Sequence, residues 1–446
     1  MRTKTITDFL NNEVKEYAFD VIENRAIPSV IDGLKPTARK VIYVANKIWK
    51  TGNEKPMKVF QLTGRMASEA YYHHGDSSAN SVITGMGQTF KNSLPLLEGI
   101  GQYGTLRSTT AGAPRYISTK LSENFRNLYK DFELLENRVD EGNEIEPNFF
   151  LPITPAVILN GSSGIAVGFA SNILNRNPKE VTQVCIDYLN GKKIKELKPW
   201  LSEFSGEWKR DDENKNKWYI KGKYEVGTFD VRVTELPPKW TFEAYESYLD
   251  SLIEKKIIKD YDNNSSSSVD YTLKFKKDDL QELVDKNKLE DLLKINDSST
   301  ENLTTLDENG KLKIFDCVED IVKYFVDFRL TYYQKRKDYL LDKHNKELRE
   351  LCFRAKFIKS IIDKKLVVNN IPKDVIISWL NDNKFEQIDG GFNYLLNMPI
   401  YSLTKERYED LMNKAKQKKE LIDEISKKEP KEMYLEDLNE LKKKLK

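Results

Sequence analysis

Hydrophobic residues recur at helical spacing near the start of the chain. After a short helical pattern at the N-terminus, residues 35–50 (KPTARKVIYVANKIWK) predict a helix, and Pro36 suits its first turn. Its apolar stripe consists of Val41, Ile42, Ala45, Ile48 and Trp49. Basic residues and one tyrosine occupy the other face: Arg39, Tyr43, Lys47 and Lys50. This helix therefore presents a basic face with an aromatic residue in it.

A second helix is predicted after the HHG at 73–75, with Asp76 or Ser77 as its N-cap. Its buried positions are expected at Val82, Ile83, Met86 and Phe90. Its other face carries short side chains: Ser77, Ser78, Asn80, Ser81 and Thr84. Two such helices joined by a basic segment are similar to a helix-turn-helix module.

Residues 153–315 have a different sequence pattern, in which runs of alternating polarity and of β-branched residues mix with helical stretches. The runs are TPAVILN, WYIKGKYEV, DVRVTELP and SVDYTLKFK, and they predict an α+β domain. Trp208 and Trp218 flank the charged segment KRDDENKNK, which predicts an exposed hairpin tip. NNSSSS at 263–268 predicts a polar loop or short linker.

The pattern changes again near residue 316, where about 50 residues contain neither Gly nor Pro. Apolar residues recur at 318, 321, 325, 328 and 332, which predicts one helix of roughly 75 Å. A second charged helical run, 404–446, could return antiparallel to it, with a small globular tip at 366–403 between them. Long paired helices are typical of arms or dimerisation devices.

These patterns together predict a multidomain α+β protein, since a chain of 446 residues is longer than a single hydrophobic core usually supports. The expected domains are 1–152, 153–315 and 316–446, with the tip at about 366–403. Charged residues make up 32% of the chain, and no apolar run approaches the roughly 20 residues of a membrane span. The N-terminus lacks the apolar stretch of a signal peptide, so we expect an intracellular protein without a membrane partner.

The spacing of the cysteines and the distribution of charge limit the kinds of site that the chain can form. The three cysteines are widely separated without CxxC spacing, so we expect neither a disulfide framework nor a metal site on this chain. Residues 1–130 hold 18 Lys and Arg against 11 Asp and Glu, a surplus of seven positive charges in a chain of net charge +2. This N-terminal part is the expected polyanion surface, although ordinary solvated lysines are an equal alternative on charge alone.

One nucleotide-binding motif fails on its context, a second is absent, and one possible metal motif has a simpler explanation. GIGQYG at 99–104 matches GxGxxG, but the following TLRSTTAGAPRY is not a helix, so the dinucleotide interpretation fails. No GxxxxGK[ST] is present. Asp260 and Asp262 form a DxD beside the Ser-rich loop, where a solvated turn is favoured over a magnesium site.

Arg115 and Tyr116, in AGAPRYIST, are the strongest candidates for covalent chemistry. A phenol has a pKa of about 10, so it needs nearby cations to act as a nucleophile at neutral pH. A phosphodiester target also needs guanidinium or imidazole donors on its non-bridging oxygens. Such groups occur in the same basic region at Arg25, Lys35, Arg39, Arg65 and His74, although spacing does not show that they converge.

Several motifs, in order, resemble the DNA breakage-and-rejoining core of type IIA DNA topoisomerases. They are ENRAIPSVIDGLKPTARKVIY (23–43), YYHHGDSSAN (71–80), LPLLEGIGQYGT (94–105), APRYI (113–117) and LPITPAVILNGSSGIAVGF (151–169). FDCVEDIVKYFVDFRLTYYQKRKDYLL and FNYLLNMPIYSLTKE are similar to the arms and exit gate of that family. HHG, where gyrases have HPHG, favours the eukaryotic and T-even phage branches.

The resemblance implies a role for each matched residue. Tyr116 matches the nucleophile that becomes joined to the 5′ end of the cut strand, Arg115 and Arg25 the arginines that neutralise the phosphate, and His74 a phosphate hydrogen-bond donor. Lys35 and Arg39 match DNA-backbone contacts, and we expect Lys40, Arg65 and Ser77 to bind DNA with them. Ile165 matches an isoleucine that wedges between base pairs and bends DNA. A buried strand position is the alternative for Ile165.

The family also implies an architecture and partners. We expect a winged-helix DNA-binding domain, an α/β tower domain and long antiparallel coiled-coil arms that end in a small helical dimerisation tip. The family's ATPase and acidic metal-binding segments are not found in the sequence. The expected assembly is therefore a homodimer on double-stranded DNA with an ATPase/TOPRIM partner subunit that binds ATP and holds most of the Mg²⁺, in a host cytoplasm if viral.

Two interpretations from other classes stay open. One is a DNA-binding scaffold that keeps the fold without activity, against which the intact Arg25, His74, Arg115 and Tyr116 argue. The other is an arm-based structural protein of the chromosome, which the long helices alone would allow. That second interpretation predicts neither the Arg-Tyr pair nor HHG.

Overall fold

A computed structural model describes residues 6–388 and 390–445. They divide into two compact units, one that runs to Arg329 and takes up the segment from Asp437, and one formed by Leu330–Glu436. Within the described ranges, no helix combines the length and apolarity that a membrane span requires. The mixture of helices and strands agrees with the predicted multidomain α+β class.

The first part of unit 1 is a group of helices with a small sheet. Its elements are α1 (Ile6–Phe9), α2 (Lys15–Val21), α3 (Pro36–Ile48), β1 (Met57–Lys58), α4 (Val59–Glu69), α5 (Asp76–Gly87), β2 (Leu97–Ile100) and β3 (Ser118–Leu121). Two π-helical segments, Leu10–Val14 and Ile22–Ala26, continue α1 and α2. The strands form an antiparallel sheet in the order β1-β3-β2, with Met57 opposite Thr119 and Leu97 opposite Leu121. Helices α3, α4 and α5 pack against one another.

The observed helices correct the sequence predictions at three points. The two predicted helices are not consecutive, because α4 lies between α3 and α5. Gly75, not Asp76 or Ser77, occupies the N-cap of α5, so no side chain caps that helix. Arg39 and Tyr43 are buried, at 7% and 6% exposure, so of the predicted basic face only Lys47 and Lys50 are exposed.

The middle of unit 1 connects the first sheet to a set of short strand pairs. Its elements are α6 (Glu123–Leu128), β4 (Tyr129–Lys130), β5 (Asn137–Asp140), β6 (Asn143–Pro147), β7 (Leu151–Pro152), α7 (Ala156–Leu159), β8 (Ser162–Ile165), β9 (Ala170–Ile173) and α8 (Pro178–Leu189). The TPAVILN run is therefore a short buried helix and not a strand. Pro155 stands at its N-cap, and proline is compatible with the start of a helix but not with its interior.

The rest of unit 1 is built from two larger antiparallel sheets. Its elements are β10 (Glu207–Arg210), β11 (Lys217–Lys221), β12 (Lys223–Val226), β13 (Asp230–Glu235), α9 (Phe242–Glu254), β14 (Asp260–Asn263), β15 (Tyr271–Lys274), α10 (Lys277–Asp285), α11 (Leu289–Leu293), β16 (Asn296–Thr300), β17 (Thr304–Leu306) and β18 (Leu312–Ile314). One sheet has the order β10-β11-β16 and the other β12-β13-β15-β14. The second sheet packs on α9, α10 and α11 through a core that includes Val231, Tyr245 and Leu273.

Two local predictions for this region were right and one was wrong. Strands β10 and β11 pair antiparallel with KRDDENKNK between the two tryptophans, as predicted for the hairpin. Asn263 ends strand β14, and the rest of NNSSSS, 264–268, lies between the paired strands β14 and β15, so it is a loop and not a linker. Asp260 and Asp262 lie on β14 and not in a turn, and Asp262 pairs with Lys274 at 2.8 Å.

Unit 2 contains most of the long helix and its antiparallel return. The elements are α12 (Val318–Ile362), α13 (Lys373–Asp382), α14 (Asn393–Leu396), α15 (Lys405–Lys427) and α16 (Pro430–Lys444), of which α12 begins and α16 ends in unit 1. Ile358 packs on Leu411, Glu347 pairs with Lys418 at 2.7 Å, and Lys337 Nζ donates to the Ser426 carbonyl at 2.9 Å. Helices α12 and α15 therefore run antiparallel.

Between these helices, a separate small core forms from Phe357, Leu366, Leu380, Phe385, Phe392 and Leu395. The predicted helical run 404–446 is broken, because Lys428 has an extended backbone (φ −71°, ψ 131°) before α16. Pro430 explains the break, since proline lacks an N–H and disfavours helical geometry in the residue before it.

Candidate active site

The loop between β2 and β3 carries Arg115 and Tyr116, and its backbone is held at several points. Gly112 N donates to Gln102 O at 2.8 Å and closes the loop at its base. The Tyr116 N–H donates to Ala113 O at 2.8 Å, which forms a tight turn. Two groups from β1 and α4 also hold this turn, since Phe60 N donates to Pro114 O at 3.2 Å and Lys58 Nζ donates to Tyr116 O at 2.9 Å. The fixed backbone leaves the side chains to face outward.

The Arg115 and Tyr116 side chains are both available to a ligand. Tyr116 is 72% exposed, and Arg115 is also exposed. In the part of the chain that the structure describes, neither side chain has a hydrogen-bond or ion-pair partner. An unpaired guanidinium next to an unpaired phenol can meet an anionic phosphate without first breaking an internal contact.

Arg25, Lys35 and His74 converge on one cavity of about 480 Å³. Its other lining residues include Asp32, Tyr72, Ser78, Val82, Met86, Asn92, Tyr129, Asn160 and Ser162. Lys35 Nζ donates to the Ser163 carbonyl at 2.6 Å, and burial lowers the pKa of the Lys35 ammonium. Arg25 pairs with Asp20 at 2.6 Å while half exposed. The sequence places these cations far apart, and the fold brings them together.

Tyr72 gives this cavity an unsatisfied donor. Its side chain is 7% exposed and packs edge-on against the His74 ring, with the ring centroids 5.4 Å apart. Its buried hydroxyl has no hydrogen-bond partner among the residues described. Buried polar groups are almost always hydrogen-bonded, so this hydroxyl is a donor that a polar ligand in the cavity could use. Tyr72 lies in the YYHHG motif, yet its role was not predicted.

Arg115 and Tyr116 do not line this cavity, as far as the described residues define it. Within one chain the predicted catalytic groups thus fall into two sets. One set is the cavity with Arg25, Lys35 and His74, and the other is the exposed turn with Arg115 and Tyr116.

Ile165 lies at the tip of the β8–β9 hairpin. It is 88% exposed, so it does not belong to a buried strand. Gly168, with φ +80°, makes the turn, and Ala166 N donates to Phe169 O at 2.8 Å across the tip. At the base, a Cβ on Gly164 would lie 2.1 Å from Ala26 O and 2.9 Å from Lys35 Nζ. The hairpin therefore packs closely beside the cavity and projects an apolar tip.

Arg39 and Lys40 were predicted to contact DNA, and in this structure both pair with buried carboxylates. The Arg39 guanidinium binds the fully buried Asp32 carboxylate, with Nε–Oδ2 at 2.7 Å and Nη2–Oδ1 at 3.1 Å. Lys40 is 14% exposed in its side chain and pairs with the fully buried Glu146 at 3.0 Å. Both cations are held inside the domain because they neutralise buried carboxylates.

Arg65 and Ser77 are exposed on α4 and α5. Arg65 Nε pairs with Glu69 one turn later at 2.6 Å, which is a surface contact that DNA could displace. Ser77 stands in the first turn of α5, but the neighbouring Ser78 is the serine that lines the cavity. Lys58 was missed as a support of the Tyr116 turn, because only the fold joins residues 58 and 116.

The residues present do not fit a magnesium site. Within residues 6–388 and 390–445, no group of three or more His, Cys, Asp or Glu side chains could hold a metal ion. The Mg²⁺ that the family implies has no ligand set on this part of the chain.

Comparison with known proteins identifies the family. The family model that describes the A subunits of DNA gyrase and topoisomerase IV matches residues 25–442. The chain belongs to this family. The resemblance predicted from the sequence motifs is therefore confirmed.

Relatives of this topoisomerase family agree with that assignment. The chain is 33% identical to the DNA topoisomerase medium subunit of Enterobacteria phage T4, over 99% of this chain and 100% of that protein. It is also 33% identical to the mitochondrial DNA topoisomerase 2 of Dictyostelium discoideum, over 98% of this chain. The chain spans about a third of the length of such eukaryotic relatives, 35% for the Dictyostelium protein and 34% for Plasmodium falciparum DNA topoisomerase 2.

A solved structure supports the fold of the family. The DNA-binding, cleavage and re-ligation domain of Plasmodium falciparum topoisomerase II matches with a TM-score of 0.87 and 32% identity. The match covers 98% of this chain and 64% of that one. Nearly the whole chain thus has the fold of this topoisomerase domain.

Proposed function

We propose that this chain is the DNA-cleavage and religation subunit of a type IIA, ATP-dependent DNA topoisomerase. It makes a transient double-strand break through 5′-phosphotyrosyl links and passes another duplex through the break. The observation that carries the proposal is the unpaired hydroxyl of Tyr116, a residue that is 72% exposed on a loop whose backbone is fixed. The match to the phage T4 medium subunit, over the whole length of that protein, supports this proposal. The same match supports a setting in a host cytoplasm.

The chemistry is an exchange of phosphate esters. The Tyr116 oxygen attacks the scissile phosphorus, an O–P bond to the tyrosine forms, and the bond from phosphorus to the 3′ oxygen breaks. The phenolic proton is lost and the departing 3′ oxygen gains one, so charge balances over the step. Arg115 and the cavity groups Arg25, Lys35 and His74 stabilise the non-bridging oxygens. Religation is the reverse step and needs no added energy source.

The two sets of catalytic groups meet, in this proposal, across a homodimer. Because Tyr116 lies outside the cavity of its own chain, the cavity of one copy would receive the phosphate that Tyr116 of the other copy attacks. Mixed dimers test this arrangement. One chain carries Tyr116→Phe and the other Arg25→Ala, so a site shared between copies leaves one intact site and gives single-strand nicks. A site within each chain leaves none and gives no cleavage.

The remaining architecture follows the same proposal. The α3–α5 helices with the β1-β3-β2 sheet form the winged-helix domain, the larger sheets form the tower, and α12 with α15 form coiled-coil arms. Ile400 and Tyr401, at 82% and 83% exposure, lie in the small region between the arm helices and provide an apolar dimerisation tip. The arms open there to release the transported duplex.

ATP and most of the Mg²⁺ belong, in this proposal, to a partner subunit with ATPase and TOPRIM functions. The name of the phage T4 relative, a medium subunit, supports an enzyme divided among several polypeptides. This chain would contribute the nucleophile and the cationic cavity, and the partner would contribute the metal ions.

Supercoiled plasmid, Mg²⁺ and the partner subunit provide the decisive assay. Wild-type protein should form protein-linked double-strand breaks after denaturation, and Tyr116→Phe should form none because it lacks the attacking oxygen. Tyr17→Phe is a matched control, since Tyr17 is 56% exposed and lies outside the catalytic loop. Linked breaks with Tyr116→Phe would show that another residue is the nucleophile. Absence of linked breaks with wild-type protein would favour the inactive DNA-binding scaffold.

A further inference from the structure

The tip of the catalytic loop inserts a buried arginine into a different part of unit 1. Arg107 is 4% exposed although its neighbours at 108–110 are exposed. Its Nη1 donates to Pro237 O at 3.0 Å and Trp240 O at 2.8 Å. Its Nη2 donates to Glu235 Oε1 and Leu236 O, both at 2.5 Å. Each terminal nitrogen carries two N–H groups, so all four are used.

Further contacts fix the backbone on both sides of Arg107. Phe242 N donates to Arg107 O at 2.9 Å, and Leu106 N donates to Glu203 Oε2 at 2.8 Å. The second oxygen of Glu235 accepts from Ser205 N and Ser205 Oγ, both at 2.8 Å. The acceptor for Arg107 is thus itself held in place, and the loop tip is fastened to the end of β13 and the start of α9.

This attachment is one of several that hold the loop with the nucleophile, and the others, at Gly112, Pro114 and Tyr116, lie close to the turn itself. Between Arg107 and Gly112, the exposed residues 108–110 add little packing of their own. Gly112, bonded to Gln102 O, is the next fixed point, and the turn with Tyr116 begins directly after it. Gly104 keeps the tip tight, because its φ is +81° and a Cβ there would lie 2.8 Å from Ser108 O.

We infer that Arg107 is a positioning residue for Tyr116. Its guanidinium holds the catalytic loop to the segment 235–242 and thereby couples the placement of the nucleophile to the domain built on the larger sheets. The inference rests on the proposed role of Tyr116 as nucleophile. Lysine would not replace Arg107, because a single ammonium cannot reach the four acceptors that the planar guanidinium reaches.

Two measurements on Arg107→Ala test the inference. Hydrogen exchange of the full-length chain should show at least about tenfold faster exchange at the amides of Gly112, Tyr116 and Ile117, because opening of the loop limits their exchange. In the complex with the partner subunit, single-turnover cleavage should slow about 100-fold, the effect of a displacement of about 1 Å. DNA affinity should change less than about twofold, since Arg107 is buried. Arg107→Lys should fall between wild type and alanine.

Arg176→Ala is the matched control. Arg176 is fully buried and pairs with Glu301 at 2.7 Å, but its contacts lie outside the catalytic loop. It should reduce stability and leave loop exchange and the cleavage rate per folded molecule unchanged. Equal slowing by Arg176→Ala, or wild-type exchange and cleavage in Arg107→Ala, would overturn the inference.

Two further variants keep the test decisive. If Arg107→Ala does not fold, Glu235→Gln applies the same test, because it weakens one of the four bonds and should raise loop exchange in the same segment. Linked breaks by Tyr116→Phe would refute the proposed nucleophile, whereas the exchange result would still report on the attachment of the loop by Arg107.

Discussion

Replacement of Ile165 by alanine separates DNA bending from protein stability. Ile165 is 88% exposed in the free chain, so its removal should change the free energy of unfolding by less than about 0.5 kcal/mol. Inserted between base pairs, the side chain would bury three carbons beyond Cβ. At about 0.8 kcal/mol per carbon, their loss would disfavour the bent complex by about 2.4 kcal/mol, or roughly 50-fold.

Energy transfer between dyes at the two ends of a short duplex measures this bend. We expect wild-type protein to shorten the end-to-end distance and Ile165→Ala to leave most complexes unbent at the same DNA occupancy. Ile314→Ala is the matched control, because Ile314 is also strongly exposed, at 65%, and lies outside the β8–β9 hairpin. It should bend DNA as wild type does.

Two results would refute this reasoning. If Ile165→Ala bends DNA to the wild-type extent, the side chain does not act as a wedge. If instead Ile165→Ala lowers the free energy of unfolding by more than about 1 kcal/mol, the residue stabilises the folded chain and loss of bending would have a different cause.

Four further outcomes are expected. Tyr72→Phe should weaken DNA binding if the buried hydroxyl meets a phosphate, by about 1 kcal/mol in a titration at fixed salt; unchanged affinity with higher stability would show an unused hydroxyl. Arg39→Ala leaves the Asp32 carboxylate buried and unpaired and should cost about 3–5 kcal/mol in urea unfolding, whereas a loss below about 1 kcal/mol would contradict the structural role. Burial lowers the pKa of Lys35, so between that lowered pKa and 10.5 the unfolded chain binds more protons than the folded chain. The free energy of unfolding should therefore rise as pH increases through this range, because the buried ammonium, which destabilises the folded chain, loses its proton. Urea unfolding across this range should show the rise for wild type and not for Lys35→Met. Ile400→Glu should weaken the dimer in sedimentation measurements without DNA, and an unchanged dimer would place the interface elsewhere.

Elements with a strong local pattern were predictable from the sequence. The helix α12 runs over 45 residues because its apolar positions repeat at helical spacing without Gly or Pro. The β10–β11 hairpin follows from two alternating runs around a charged turn. The break before Pro430 was also visible in the sequence, but the charged helical run was extended across it.

Elements that depend on distant packing were not predictable. Helix α4 begins directly after the two-residue strand β1, and a buried stripe at Val59, Leu62 and Met66 packs it between α3 and α5. TPAVILN has strand-forming residues, but all four residues of α7 are buried, and packing on every side overrides the local β preference. The loop with Arg115 and Tyr116 was singled out by its motif, whereas its attachment through Arg107 joins residues about 130 apart.

The stretch KPTARK shows why charge counted along a sequence does not measure charge offered to DNA. Lys35, Arg39 and Lys40 lie within six residues, yet only Lys35 reaches the cavity. The other two bind carboxylates seven and 106 residues away, at Asp32 and Glu146. Each buried carboxylate requires a cation nearby, because an unpaired buried charge costs several kcal/mol. The positive surplus of the N-terminal part is therefore partly internal, and only the cations that the fold leaves without a buried acid are available to an external anion.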